Sequence, residues 1–271
     1  MTEVTIGSRQ GKRQKGEQRR GTCVYCGKEG PITRDHVVPQ TLFLVKDEQM
    51  LTVPSCSECQ QEKARGERDL RNYCNLEIGG SMHPDAEAHL GKMIDSANVR
   101  ARNGMRKALQ AAEEVILVDE ADNEVGRALD VDFSTDRMLK SLEFVFRGLY
   151  YAAVGQRLPD DSPVEVTVVP WAIFPSFMRT IGAMRQEAPA VKGDLVAWWS
   201  RLGPLDAGAE TTAWVLCVND GVGFFGTTGE MAIIERRRKE EDVAKAPAVR
   251  EGPRRVRVPR APDGRLLIPR Q

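Results

Sequence analysis

Several scarcities narrow the classes of protein to which this chain can belong. Its 271 residues include three histidines, six cysteines and only 6% aromatic residues, and the formal net charge is +0. No uncharged apolar run approaches the roughly 18 residues that a membrane-spanning helix needs. The basic N-terminal segment has no apolar stretch after it, so we expect no secretory signal, a cytoplasmic location and no membrane partner.

The distribution of charge is more informative than its sum. Residues 9–20 are rich in lysine and arginine, including Arg13, Arg19 and Arg20, and the chain is arginine-rich again from Arg236 onward. Basic ends on a neutral protein suit contact with a polyanion such as DNA. Charged tails that only keep a protein in solution are an equally good interpretation of this pattern.

Two C-x-x-C pairs account for most of the cysteines, and they consist of Cys23, Cys26, Cys56 and Cys59. In a reducing compartment such pairs are more often metal ligands than disulfides, and four thiolates form a closed tetrahedral zinc site. Residues 27–55 separate the pairs, which is longer than the roughly 15–20 residues of a plain zinc ribbon. We therefore predict a structural zinc ion with a hairpin held between the pairs; buried or redox-active thiols are the weaker alternative.

An acid and a histidine stand side by side inside that segment, in the stretch TRDHVVPQ, residues 33–40. Adjacent residues of a regular strand point to opposite faces, so Asp35 and His36 can serve one site only at a strand end or kink, and Pro39 is consistent with such a break. A salt-bridged pair that braces the zinc module is the alternative role.

The combined order CxxC, DHxxP, CxxC resembles the HNH, or ββα-metal, endonucleases. The likeness is greatest to the four-cysteine, zinc-containing branch of endonuclease VII-like and McrA-like enzymes, and it covers Cys23 to Arg71. The resemblance implies that His36 is the general base and that Asp35 ligates a catalytic Mg²⁺ or Mn²⁺ ion. Gln60 follows the last cysteine where the family normally has asparagine or histidine, and is expected to be the second metal ligand.

Basic residues near this motif are candidate DNA contacts. Arg34, Lys63, Arg65 and Arg68 are expected on one face, and Lys63 lies three residues after Gln60, within reach of a phosphate. The run QQEKARGERDLR is equally typical of a solvated helix whose charges pair with one another. For any single residue of this set, the solvated role is the stronger expectation.

The remaining pattern predicts an α+β fold with five segments: a disordered basic arm (1–20), the nuclease module (21–75), a helical connector (76–124), an α+β C-terminal domain (125–235) and a basic, proline-rich, extended or disordered tail (236–271). Pro84 to about Val118 is predicted to be helical. A second helix is predicted to begin at Ser134 or Thr135 and to end at Gly155, with an apolar stripe on one side.

Strands are predicted after Pro163. VEVTV alternates apolar and polar residues, LVAWW and TAWVLCV are apolar runs, and NDG at 219–221 favours a hairpin turn before VGFFG. The sequence thus predicts a zinc-containing, metal-dependent DNA endonuclease of bacterial or phage type. The alternatives are a catalytically inactive zinc module that binds nucleic acid, and an adaptor subunit of a phage or defence complex that binds a protein partner through residues 125–230.

Overall fold

A computed structural model describes the parts of the chain on which the following account rests. These are residues 19–43, 51–76, 84–94, 107, 109–118, 123–130, 135–169, 177, 179, 196–201, 211–218, 222–229, 232–233 and 254–257. Most of the predicted basic arm, including Arg13, lies outside these residues, as do Ser134 and the NDG turn. Within them, the protein is a mixed α+β structure with small antiparallel sheets.

The N-terminal part consists of two short hairpins followed by a helix. Strand β1 (Arg20–Thr22) pairs with β2 (Glu29–Pro31), and β3 (Thr33–His36) pairs with β4 (Thr52–Ser55), both antiparallel. Helix α1 (Ser57–Leu76) begins almost directly after β4. The β3–β4 hairpin therefore lies between the two cysteine pairs, and α1 follows it, beginning at the second pair.

Helix α2 (Pro84–Ile94) is followed by β5 (Glu113–Val118) and β6 (Glu124–Asp130). The helical prediction up to Val118 is therefore wrong for 113–118, where β5 pairs with β6 and with β11 (Arg254–Arg257). Local helix propensity is weak, and β-branched residues favour a strand once a partner strand is present. The partner in the tail is distant in sequence, so local pattern did not reveal it; residues 254–257 are extended, as expected.

Helix α3 (Thr135–Val154) confirms the predicted periodicity. Its apolar stripe is fully buried and contains Met138, Leu142, Val145, Phe146 and Leu149. The helix ends where predicted, because Gly155 adopts φ +79° and donates its amide to the Tyr151 carbonyl oxygen at 2.9 Å. Such a left-handed residue is a common helix terminator, and glycine adopts it without a steric penalty.

The C-terminal sheet consists of β7 (Val164–Val169), β8 (Val196–Arg201), β9 (Thr212–Val218) and β10 (Val222–Thr228), which confirms the strands predicted here. The strand order is β7-β10-β9-β8, and all neighbouring strands are antiparallel. Strands β9 and β10 pair from Val218 and Val222 outward, as a hairpin requires. Every residue of β9 is buried, so this strand lies at the centre of the core.

One hydrophobic cluster extends from the zinc-module region to this sheet. It includes Tyr25 and Val37 near the first hairpins, Phe146 and Leu149 on α3, and Phe224 on β10. Helix α3 contacts both sides, because a Cβ at Gly148 would meet Val37 and one at Gly226 would meet the Phe146 ring. The predicted nuclease module and C-terminal domain are thus joined by a shared core.

The structure also bears on the expected absence of membrane segments. Among the described residues, no helix combines the length and the apolar character required to cross a bilayer.

Helices α1 and α3 are in close contact at Gly66, which gives a first testable prediction. A Cβ at position 66 would lie 1.9 Å from the Arg137 carbonyl oxygen, so Gly66→Ala must push the helices apart. Overpacking of this kind typically costs about 1–3 kcal/mol. We expect urea unfolding to show a loss of stability of at least this size.

The matched control is Gly91→Ala in α2, where an added Cβ meets nothing within 4 Å. Alanine is favoured over glycine inside a helix by about 0.5–1 kcal/mol, so this variant should be slightly more stable than the wild type. Similar effects of the two substitutions would contradict the close helix contact.

Candidate functional site

The four cysteines of the two pairs converge on one point. The Sγ atoms of Cys23, Cys26, Cys56 and Cys59 all lie within 4.8 Å of one another. The Cys26 and Cys56 sulfurs are 3.8 Å apart, and a tetrahedron with Zn–S bonds of about 2.3 Å has edges of about 3.8 Å. The cluster therefore has the composition and dimensions of a site that could hold a zinc ion.

The local backbone explains why the thiols meet. Cys23 and Cys26 flank a tight turn between β1 and β2, closed by the Gly27 amide, which donates to the Cys23 carbonyl oxygen at 2.9 Å. Gly27 has φ +69°, a conformation that glycine adopts readily. The second pair spans the junction of β4 and α1, so that Cys59 lies on the first turn of the helix. Each pair thus joins two elements at one end of the structure.

The thiols differ in acidity. Burial raises the pKa of Cys23, but hydrogen bonds from the backbone of Cys56, Cys26 and Tyr25 outweigh it and lower that pKa to about 7. Burial raises the pKa of Cys26 and of Cys59. Neighbouring thiolates repel one another, so the group is fully ionised only with a cation among the sulfurs. Binding of a cation here would therefore release the protons that the thiols retain in its absence.

Asp35 and His36 are the last two residues of β3, where they pair in register with Val53 and Thr52 of β4. His36 is the last residue of the strand, and a bend follows it before Pro39. The Asp35 carboxylate accepts a hydrogen bond from Tyr25 Oη at 2.7 Å and an ion-paired bond from Lys63 Nζ at 2.8 Å. Both donors bind the same oxygen, Oδ2.

The imidazole of His36 is half-buried beside this pair. Its Nδ1 atom is buried and has no hydrogen-bond partner among the described residues. Burial lowers the pKa of His36; the Asp35 charge raises it and the Lys63 charge lowers it, with burial the largest effect. The ring is therefore neutral at physiological pH, which is the form that accepts a proton.

Gln60 lies on the first turn of α1 and reaches back to β3. Its Nε2 donates to Thr33 Oγ1 at 2.6 Å and to the Ser55 carbonyl oxygen at 3.3 Å. Thr33 and Asp35 are two residues apart in one strand, so they share a face of the hairpin. Gln60 thus lies on the Asp35 side, and within the described residues its Oε1 accepts no hydrogen bond.

Lys63 does not occupy the exposed position that the sequence predicted. Its side chain is 0% exposed, and besides Asp35 it donates to the His36 carbonyl oxygen and lies 3.7 Å from Glu67 Oε1. Lys63 follows Gln60 by three residues, which is nearly one helical turn, so it lies on the face of α1 that packs against the hairpin. Direct contact with a phosphate is excluded in this conformation.

The arginines are on the surface. Arg34, Arg65, Arg68, Arg19 and Arg20 are all exposed. Arg65 pairs with Glu62 on the same helix, as the solvated-helix alternative expects, and Arg68 lies 3.8 Å from Asp69. Arg34 forms no ion pair with any other described residue.

The roles of Tyr25 and of the Lys63–Glu67 pair beside Asp35 were missed from the sequence. Tyr25 lies between the first two cysteines and bonds to Asp35 across the hairpin, a contact that no local pattern shows. Lys63 and Glu67 are four residues apart, a spacing from which a helical ion pair can be recognised in the sequence. The burial of Lys63 could not be recognised in this way. Cys74 and Cys217, the two cysteines outside the pairs, are buried. Among the described residues, the four-cysteine cluster is the one group of three or more His, Cys, Asp or Glu side chains close enough to hold a metal ion.

Comparison with known proteins does not identify a family for this chain. No family model, no curated protein and no solved structure matches the chain.

The cysteine cluster gives a prediction about metal content. We expect the purified protein to contain about one zinc ion per chain by atomic emission, and Cys26→Ser to lose it, because a hydroxyl is a poor ligand for zinc. Zinc loss should also lower the thermal unfolding temperature, since the metal-binding energy contributes to folding. Cys217→Ala, outside the cluster, should keep the metal; equal zinc content in both variants would contradict the assignment.

Proposed function

We propose that residues 21–75 form a ββα-metal (HNH) nuclease module and that the protein hydrolyses DNA phosphodiester bonds. The observation that carries this proposal is the position of the Asp35–His36 step. It lies at the end of the first strand of a hairpin that leads into a helix, and the cysteine pairs before and after this hairpin converge on one point. This is the arrangement that the sequence resemblance implies for such a module.

His36 is the general base in this proposal. Its imidazole is kept neutral by burial and lies beside Asp35, so it can take a proton from a water molecule that attacks the phosphorus. The buried, unpartnered Nδ1 atom leaves Nε2 as the nitrogen for this role. Histidine suits proton transfer near neutral pH because its ordinary pKa is roughly 6.5.

Asp35 and Gln60 would hold a divalent ion. Both offer a side-chain oxygen, Oδ1 and Oε1, that takes no hydrogen bond from a described residue, and oxygen donors are the ligands that Mg²⁺ and Mn²⁺ prefer. The donor set therefore fits such an ion. When bound, the ion supplies charge neutralisation at the phosphoryl oxygens and stabilises the leaving 3′-oxygen. Asp35 and Gln60 are held by α1 and the hairpin in a fixed relation to His36.

DNA would lie across the exposed arginines near the hairpin. Arg34 on β3, Arg65 on α1, and Arg19 and Arg20 before β1 are the described candidates, and Arg13 belongs to the same basic segment of the sequence. Contacts of this type go to the phosphates, so they would orient the duplex without reading its sequence. Affinity should accordingly fall as salt rises.

A second candidate is a zinc module that binds nucleic acid without cleaving it. The specific observation in its favour is the buried ammonium of Lys63, which already pairs with Asp35. Gln60 instead of asparagine, with its amide bonded to Thr33 and Ser55, points the same way. An adaptor role for the C-terminal sheet, with a protein partner, stays a further proposal.

Plasmid cleavage separates the two candidates. With Mg²⁺ or Mn²⁺, the wild-type protein should nick supercoiled DNA, and His36→Ala should reduce the rate by about 10²–10⁴-fold, the usual contribution of a general base. Nicking is measured as the conversion of supercoiled to open-circular plasmid on a gel.

The control for this experiment is His89→Ala, which removes a histidine from α2, outside the hairpin. It should nick like the wild type, and both variants should keep their zinc. DNA binding without nicking by the wild-type protein at any divalent ion would contradict the nuclease proposal and favour the binding module.

A further inference from the structure

The Asp35 carboxylate is bonded on one oxygen only. Tyr25 Oη and Lys63 Nζ approach Oδ2 at 2.7 and 2.8 Å, whereas Oδ1 accepts no hydrogen bond from any described residue. A carboxylate has about four lone-pair positions on its two oxygens. Two donors on a single oxygen therefore fix the rotation of the group and leave the other oxygen for a further ligand.

The first donor is held rigidly by the zinc knuckle and by the core. Tyr25 lies between Cys23 and Cys26, is 5% exposed, and packs edge-on against the Phe144 ring of α3, with centroids 5.1 Å apart. The α3 backbone approaches its hydroxyl, because a Cβ added at Gly148 would lie 3.4 Å from Tyr25 Oη. The tyrosine hydroxyl thus has little freedom to move away from Asp35.

The second donor is held by three oxygens at once. The Lys63 ammonium has no exposed surface and bonds Asp35 Oδ2 and the His36 carbonyl oxygen, with Glu67 Oε1 at 3.7 Å. A buried ammonium is stable only with such compensation. The same contacts join helix α1 to the last two residues of β3, so Lys63 connects the backbone of the proposed base with the carboxylate beside it.

We propose that Tyr25 and Lys63 are positioning residues that orient Asp35 so that Oδ1 is its single ligand atom for a divalent cation. This inference deepens the proposed nuclease function and rests on it. Lys63 contributes one positive charge against the carboxylates of Asp35 and Glu67, so the group as a whole still attracts a cation. A single ligand oxygen from Asp35 also suits Mg²⁺ or Mn²⁺, which keeps most of its coordination for water and phosphate.

The test measures Mn²⁺ binding rather than cleavage. Tyr25→Phe keeps the ring against Phe144 but removes one donor from Asp35, and loss of a partner that orients a metal ligand typically weakens affinity about 10–100-fold. Mn²⁺ dissociation constants are measured by electron paramagnetic resonance on zinc-loaded protein. Tyr151→Phe is the matched control and should bind Mn²⁺ like the wild type, because it removes a hydroxyl of α3 that is not among the donors to Asp35.

A second variant tests the lysine. Lys63→Met combined with Glu67→Gln replaces the ammonium by an apolar chain and removes the carboxylate that would otherwise lose its partner; it should weaken Mn²⁺ binding by a similar factor. Asp35→Asn serves as the reference for loss of the site. Zinc content and the thermal unfolding temperature verify that each protein is folded, and the Tyr25→Phe result stands alone if the double variant does not fold.

The outcomes distinguish this inference from the nuclease proposal. Weaker Mn²⁺ binding in Tyr25→Phe, with zinc retained, supports the positioning role even if the wild type cleaves no DNA. Wild-type affinity in Tyr25→Phe overturns it, even if the protein is an active nuclease. The inference is also overturned if Asp35→Asn binds Mn²⁺ as tightly as the wild type does. In that case Asp35 is no metal ligand, and Lys63 takes the place of the cation beside it.

Discussion

The convergence of four thiols is the constraint on which the rest of the structure depends. The two cysteine pairs lie in different turns, one between β1 and β2 and one between β4 and α1, and a cation shared by all four thiols would make their close approach favourable. With these turns joined, the segment between them forms the β3–β4 hairpin, and α1 begins beside this hairpin. Gln60, distant from β3 in sequence, is thereby bonded to Thr33, two residues before Asp35.

The site also depends on the C-terminal half of the chain. Helix α3 packs its glycine face against Val37 and the Tyr25 hydroxyl, while its opposite side packs against the sheet through Phe146. Beyond the end of α3, Arg157 lies so close to the first zinc turn that a Cβ at Gly27 would be 2.7 Å from its Cζ. A guanidinium near a tetrathiolate is electrostatically favourable. The helix therefore couples the sheet to the residues that orient Asp35.

Sequence patterns predicted those parts of the structure that depend on interactions between residues close in sequence. The cysteine spacing, the apolar stripe of α3 with its glycine terminator, and the alternating strand β7 all depend on residues close in sequence, and each is found as expected. Strand β5 was missed because its pairing with Arg254–Arg257 is a long-range contact. Lys63 was misplaced for a related reason: a lysine is usually exposed, and its burial depends on Asp35 and the His36 carbonyl across the hairpin.

Anomalous diffraction from crystals soaked in Mn²⁺ would test the central claim most directly, since it locates zinc and manganese separately. The account predicts zinc at the centre of the four sulfurs. It also predicts a manganese peak beside Asp35 Oδ1 and Gln60 Oε1, with Lys63 still bound to Asp35 Oδ2. Zinc in the cluster with no manganese near Asp35 would contradict the proposal that the thiol-closed hairpin builds a catalytic metal site.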